Sequence, residues 1–180
     1  MNIQVIDCQN SLWLETLQSL RHDVYHLPEY VKLEAKRSKT NPQAFIVVDG
    51  DKIFFLPFLI RSCNDIVGDT TPNFCDAISP LGYCGILLSK AAADSDIFIN
   101  FAFQELNYYL KIQGICSAFF QLHPILNHKL SHVLSSETIK KIGETVSIDL
   151  KLSAERIWAD TRKGHQSTIN KCKRLGFTAR

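Results

Sequence analysis

The sequence predicts an α/β fold built on a mixed, mainly antiparallel twisted sheet flanked by helices. Three observations carry that expectation. The stretch "AFIVVDGDKIFFLPFLIR" holds two β-rich runs joined by Asp49, Gly50 and Asp51, the pattern of a hairpin in which Gly50 takes positive φ. From Ala91 to Gln113 the apolar residues follow a helical spacing over one broad face. Directly after it, "ICSAFFQL" is a continuous apolar run of strand length, the type expected for a strand covered on both faces.

The elements follow in order. "IQVID" alternates as a short strand, and "SLWLETLQSL" places Leu12, Trp13, Leu17 and Leu20 at helical spacing behind Asn10 or Ser11 as N-cap. Pro28 suits the first turn of a second helix, where its missing N–H has no intrahelical partner. Val31, Leu33 and Ala35 continue that helix and "KRSKTNP" ends it. After the hairpin, "GDTTPNFCDAISPLGYCGILLS" reads as loops enclosing short strands near Asp76–Ile78 and Tyr83–Leu87. Gly114 terminates the long helix. "PILNHKLSHVL" predicts a short helix, and "ETVSIDL" a strand through the alternation of Val146, Ile148 and Leu150. A last helical stretch begins at Ser153 and runs to Leu175, with a break at Gly176.

Composition narrows the function. With 46% apolar residues in 180, the chain has enough for one ordinary core. A net charge of +2 argues against a whole-surface polyanion binder. The charge is nevertheless uneven: Arg162 to Arg180 carries six Lys and Arg residues and no acid, so a nucleic-acid reading rests on that helix alone. The cysteines show no CxxC pair, so zinc is not expected, and they read as small buried hydrophobes of a reducing, cytoplasmic protein. No apolar run reaches the roughly 20 residues a membrane span needs.

No phosphate-binding glycine loop and no nucleophile elbow occurs. Four stretches concentrate chemistry, each with a plain structural alternative. "HDVYH" gathers His22, Asp23, Tyr25 and His26 at a helix start, where N–H groups favour anionic ligands. Equally, Asp23 caps a turn and its neighbours sit half exposed. "SPLGYCGIL" brackets Tyr83 and Cys84 between Gly82 and Gly85, allowing close backbone approach to a ligand or forming a simple loop and bulge. "FFQLHPIL" puts His123 where a strand ends, a position that faces ligand crevices in α/β sheets or holds a structural histidine. "RKGHQSTINKCKRLG" aligns Arg162, Gln166 and Asn170 beside Lys163, Lys173 and Arg174, a face for a phosphate or a solvated basic helix.

Taken in order, "HDVYHLPEY", "DAISPLGYCGIL", "FFQLHPIL" and "TVSIDLKLSAERIWADTRKGHQSTINKCKRLGF" resemble FemAB-like proteins of the GNAT superfamily, the group of the Fem peptidoglycan-bridge aminoacyltransferases. The resemblance implies a GNAT-like sheet. It also implies attack by the amine of a cell-wall precursor or related small-molecule or lipid-linked sugar acceptor on an acyl-CoA or aminoacyl-tRNA, with tRNA the only nucleic acid involved. Members carry two such domains, so residues 1–151 correspond to the N-terminal one and 152–180 to the basic helix opening the second. A second domain or another copy of the chain would complete the site, and this chain alone would bind no cofactor and be inactive. The Gln/Arg-x-x-Gly-x-Gly/Ala loop that holds coenzyme A is missing, which fits a first domain. On the same resemblance Lys32 matches the acceptor-binding lysine, Arg162 or Lys163 a phosphate contact, and "HDVYH" lies beside the acceptor groove. A non-catalytic module binding a phosphorylated sugar or a partner protein is the competing reading.

Overall fold

The structure, a computed structural model, describes residues 1–64, 74–127, 130, 132–134 and 138–178. Part of the predicted loop at 68–73, residues 128, 129 and 131 of the predicted short helix, and Arg180 therefore lie outside the described residues. The chain divides into two units, Met1–Lys141 and Ile142–Arg180.

In the first unit, β1 (Asn2–Ile6), α1 (Leu12–Gln18), a 3-10 turn (Val24–His26) and α2 (Pro28–Ser38) precede the hairpin β2 (Asn41–Asp49) and β3 (Lys52–Ser62). Then come β4 (Cys75–Ile78), β5 (Leu87–Leu88), α3 (Lys90–Ala93), α4 (Asp96–Ile112) and β6 (Ile115–Phe119). The sheet order is β1-β2-β3-β4-β6, with β5 also on β3. Every pairing is antiparallel except β4 with β6, the mixed, mainly antiparallel arrangement that the sequence predicts.

The hairpin runs apolar without alternation because both of its faces are covered. Phe45, Val47, Phe54, Leu56 and Phe58 pack with Phe98, Ala102, Leu106 and Leu110 of α4. Ala44, Ile46, Phe55 and Leu59 pack on the opposite face with Trp13 and Leu17 of α1 and Val31 and Ala35 of α2. Pro57 sits inside β3, a poor place for a residue without an N–H. It falls between Phe55, the last residue paired with β5, and Leu59, the first paired with β4, so that side of the ladder is interrupted there.

Local signals set the helix ends. Asn10 Oδ1 accepts the Leu12 N–H at 3.0 Å, so Asn10 rather than Ser11 supplies the side-chain cap of α1. Pro28 is the first residue of α2, which ends with Lys39 at φ 54°. Leu33 does not join its buried face and is exposed. The predicted long helix is two: Ser95 Oγ accepts the Phe98 N–H and restarts the chain as α4 after the short α3.

Four further expectations are corrected. β6 is the last strand of its edge, and four of its five residues are exposed, so its apolar run marks a preference for cover that no described residue satisfies. Residues 83–86 are not strand: the Gly85 N–H goes to the Gln121 carbonyl, and the polar groups of Ile86 go to the Asn127 side chain. The described part of "PILNHKLSHVL" forms turns rather than an α-helix, held by bonds such as Asn127 N–H to the His123 carbonyl at 3.0 Å. "ETVSIDL" forms no strand, and Val146 is 87% exposed: alternation specifies a strand only where a partner strand supplies the ladder.

In the second unit, α5 (Ala154–Asp160) and α6 (Lys163–Arg174) replace the single predicted helix. Ser153 caps α5 by accepting the Arg156 N–H. The backbone turns extended at Thr161 and Arg162, and the Trp158 carbonyl at the end of α5 accepts both the Thr161 N–H at 3.1 Å and Gln166 Nε2 at 2.6 Å. Neither helix has a buried residue.

Candidate functional site

The turn after α1 is built by reciprocal capping. Asp23 Oδ1 accepts the Val24 N–H at 2.5 Å, and the Asp23 N–H donates to His26 Nδ1 at 3.2 Å. Trp13 Nε1 donates to the His26 carbonyl at 2.9 Å and fixes the turn to α1. His26 is thereby fully buried.

Two distant loops close over this turn. Tyr25 stands edge-on to Tyr30 of α2, with centroids 5.2 Å apart, and to Tyr83, at 6.0 Å. The Tyr30 hydroxyl donates to the Leu81 carbonyl at 2.8 Å, and the Cys84 thiol to the Tyr25 carbonyl at 3.3 Å. His123 Nδ1 accepts the N–H groups of Ile125 and Leu126, so the ring proton sits on Nε2, which donates to Asp23 Oδ2 at 3.2 Å. Asn127 completes the seam. Its Oδ1 accepts the His123 and Ile86 N–H groups at 2.8 and 3.2 Å, and its Nδ2 donates to the Ile86 carbonyl.

The structure therefore brings Asp23, Tyr25, His26, Tyr83 and His123 together, but as a hydrogen-bonded seam in which both histidines are buried and Asp23, Tyr25 and Tyr83 are part-exposed. Both His123 nitrogens are engaged, which leaves no lone pair for proton abstraction. Burial pushes His26 down to about 4, against the opposing pull of Asp23, so it is neutral near pH 7. With Nδ1 accepting, His26 Nε2 carries the proton and is a buried donor without a partner. Asp23 lies below the usual carboxylate range: burial works against this, but hydrogen bonds from His123 and the Val24 N–H prevail. Gly82 and Gly85 do permit close approach, to the Tyr25 ring and to Asn127 and the His123 backbone rather than to a ligand. Asn127 was not singled out from sequence, although an Asn directly after the apolar pair Ile125 and Leu126 is the available signal.

The remaining candidates lie elsewhere. His22 is exposed and contacts the Leu20 carbonyl through Nδ1 at 2.9 Å. Arg162 is the N-cap of α6 and Lys163 its first residue, both in the second unit. Lys32, on the exposed face of α2, borders an open groove of about 500 Å³ with Asp7, Cys8, Gln9, Asn41 and Gln43. Tyr25 is not among the residues lining it. The Tyr109 hydroxyl donates to Gln43 Oε1 at 2.9 Å, leaving the Gln43 amide nitrogen as the group's donor. Burial, with Asp7 adding and Lys32 opposing, pushes the Cys8 thiol up to about 11, so it is a neutral thiol and not a nucleophile. The groove thus offers one ammonium, one carboxylate and several amides, a set suited to hydrogen bonding a polar, hydroxyl-rich ligand. Among the described residues no three of His, Cys, Asp and Glu could hold a metal ion, and no helix is long and apolar enough to cross a membrane.

Comparisons with protein-family models, with curated proteins and with solved structures find no match to this chain.

Proposed function

We propose that this chain is the acceptor-binding, N-terminal GNAT-like part of a FemAB-type N-acyl- or aminoacyltransferase. The acceptor is the free amine of a cell-wall precursor or related amino sugar, and the donor an activated ester or thioester carried by aminoacyl-tRNA or acyl-CoA. The single observation that carries the reading is the polar groove bordered by Lys32 at the junction of β1, α2 and β2. The order of the sheet, an antiparallel meander followed by a helix and a parallel β4–β6 pair, supports the same reading. Chemistry here is positioning: an ammonium and amides orient a sugar so that its amine reaches the donor. The neutral Cys8 thiol offers no base, and both nitrogens of His123 are occupied.

That last point also favours a second reading, a binding module without turnover. Calorimetric titration of the full chain with an amine-bearing nucleotide-sugar precursor, and separately with acyl-CoA, tests the first. Binding of the precursor, weakened roughly tenfold or more in Lys32→Ala by loss of a charge-assisted hydrogen bond, is expected. Lys32 is exposed, so the variant keeps its fold. Equal affinity in wild type and Lys32→Ala overturns the assignment of the groove. Persistent lack of transfer after a second GNAT-like domain is supplied selects the binding module.

A further inference from the structure

Strand β1 stops short of its neighbour. Its last residue, Ile6, pairs with Ala44, whereas β2 begins at Asn41, so Asn41, Pro42 and Gln43 are paired with β3 on one side and with no strand on the other. The groove bordered by Lys32 lies at this gap, lined by Asp7, Cys8 and Gln9 where the chain leaves β1 and by those three residues of β2.

Two opposite charges reach the groove from different elements. The Gln9 N–H donates to Asp7 Oδ1 at 2.7 Å and the Asn10 N–H to the Asp7 carbonyl at 3.3 Å. This turn orients the carboxylate and leaves Oδ2 without a hydrogen bond among the described residues. Lys32 is carried by α2, whose Val31 and Ala35 are buried against the sheet, and is itself exposed. Among the described residues neither Asp7 nor Lys32 makes an ion pair, with the other or with any third group. Glu29 of α2 acts on the Cys8 thiol, as Asp7 and Lys32 do, but does not line the groove.

Charges that border one groove without neutralising each other stay available to a ligand. A ligand carrying both an ammonium and an anionic group satisfies the two at once, through hydrogen bonds roughly twice as strong as neutral ones. We propose that Asp7 is the amine-reading residue of the groove, and that the ligand bears a free ammonium, held by Asp7 Oδ2, and an anionic group, held by Lys32. The inference rests on the acceptor groove proposed above and adds the residue that selects an unacylated amine. The contact recognises the acceptor and takes no part in bond making. Acylation removes the ligand's positive charge and replaces an ammonium with three N–H donors by an amide with one, so an acylated product is held less tightly than the acceptor and leaves the groove.

The test is calorimetric titration of the full chain with UDP-glucosamine and with UDP-N-acetylglucosamine, which differ only in the acyl group on the amine. Wild type is expected to bind the free amine roughly tenfold or more tightly than the acetylated form. Asp7→Asn, which keeps an Oδ1 acceptor for the Gln9 N–H and so keeps the turn, should lower the affinity for the amine to that for the acetylated form and leave the latter unchanged. Lys32→Ala should weaken both ligands by the same factor, and Glu29→Gln should leave the preference intact. Equal affinity of wild type for the two ligands, a preference that survives Asp7→Asn, or one lost as fully in Glu29→Gln overturns the inference. If both ligands bind with dependence on Lys32 but without preference, the groove stands and only the role of Asp7 falls. If neither binds, or if Lys32→Ala changes nothing, the groove and this inference fall together.

Discussion

Gly82 and Gly85 take φ values of 94° and 54°, and each has no room for a side chain. A Cβ on Gly85 would lie 2.6 Å from the His123 nitrogen, and one on Gly82 would enter the Tyr25 ring. Gly82→Ala and Gly85→Ala should therefore each lose about 2 to 4 kcal/mol in urea unfolding, with the same slope against denaturant. Asn127→Ala would strip partners from three buried backbone groups at once. His26 makes a prediction with a sign. Its folded value is about 4 against 6.5 in the unfolded chain, so between those pH values the unfolded state binds more protons. The stability contributed by neutral His26 is complete above about 6.5 and falls by roughly 3 kcal/mol as pH drops toward 4. His26→Phe should flatten that part of a stability-against-pH curve. A slope unchanged by the substitution would refute the assignment. At this scale the sequence showed which residues carry chemistry, yet not that His123 uses both nitrogens, because its partners lie at Asp23 and at Ile125 and Leu126.

Where elements meet, hydroxyls often do more than cap. Ser89 Oγ accepts the Ala92 N–H at the start of α3 and the Ile53 N–H of β3, and donates to the Asp51 carbonyl in the hairpin turn at 2.7 Å. One side chain thus joins a helix start to the strand and turn beside it. Ser89→Ala should cost about 1 to 2 kcal/mol, more than loss of a simple surface cap, and thermal unfolding will measure it. Elements whose signals are local were legible: the hairpin through Gly50, α2 through Pro28, the end of α4 through Gly114. The division of 90–112 into α3 and α4 was hidden, because apolar spacing continues through Asp94 and Ser95 while Ser95 restarts the helix. Likewise β6 reads as a covered strand. Its pattern reports what the residues prefer, whereas exposure depends on which neighbours arrive.

Across the whole molecule, burial is concentrated on the hairpin. β2 and β3 carry helices on both faces, whereas residues 142–149 have no regular structure. Hydrogen exchange read at peptide resolution should find the β2 and β3 amides slowest, and amides 142–149 exchanged at the first time point. Protection at Val146 and Ile148 would instead restore the strand that their alternation predicts. By itself, the sequence determined the α/β class, the order of elements through β4, and the hairpin that anchors the core, because each follows from periodicity and turn chemistry within a few residues. Only the tertiary structure decided that His26 and His123 are buried and hydrogen-bonded, that Lys32 borders a groove not lined by Tyr25, and that Cys116 is the extra residue of a bulge in β6. A local pattern encodes the environment a segment favours. Which groups occupy a given hydrogen bond, and which side chains share a cavity, is fixed by contacts between residues as far apart as Asp23 and His123.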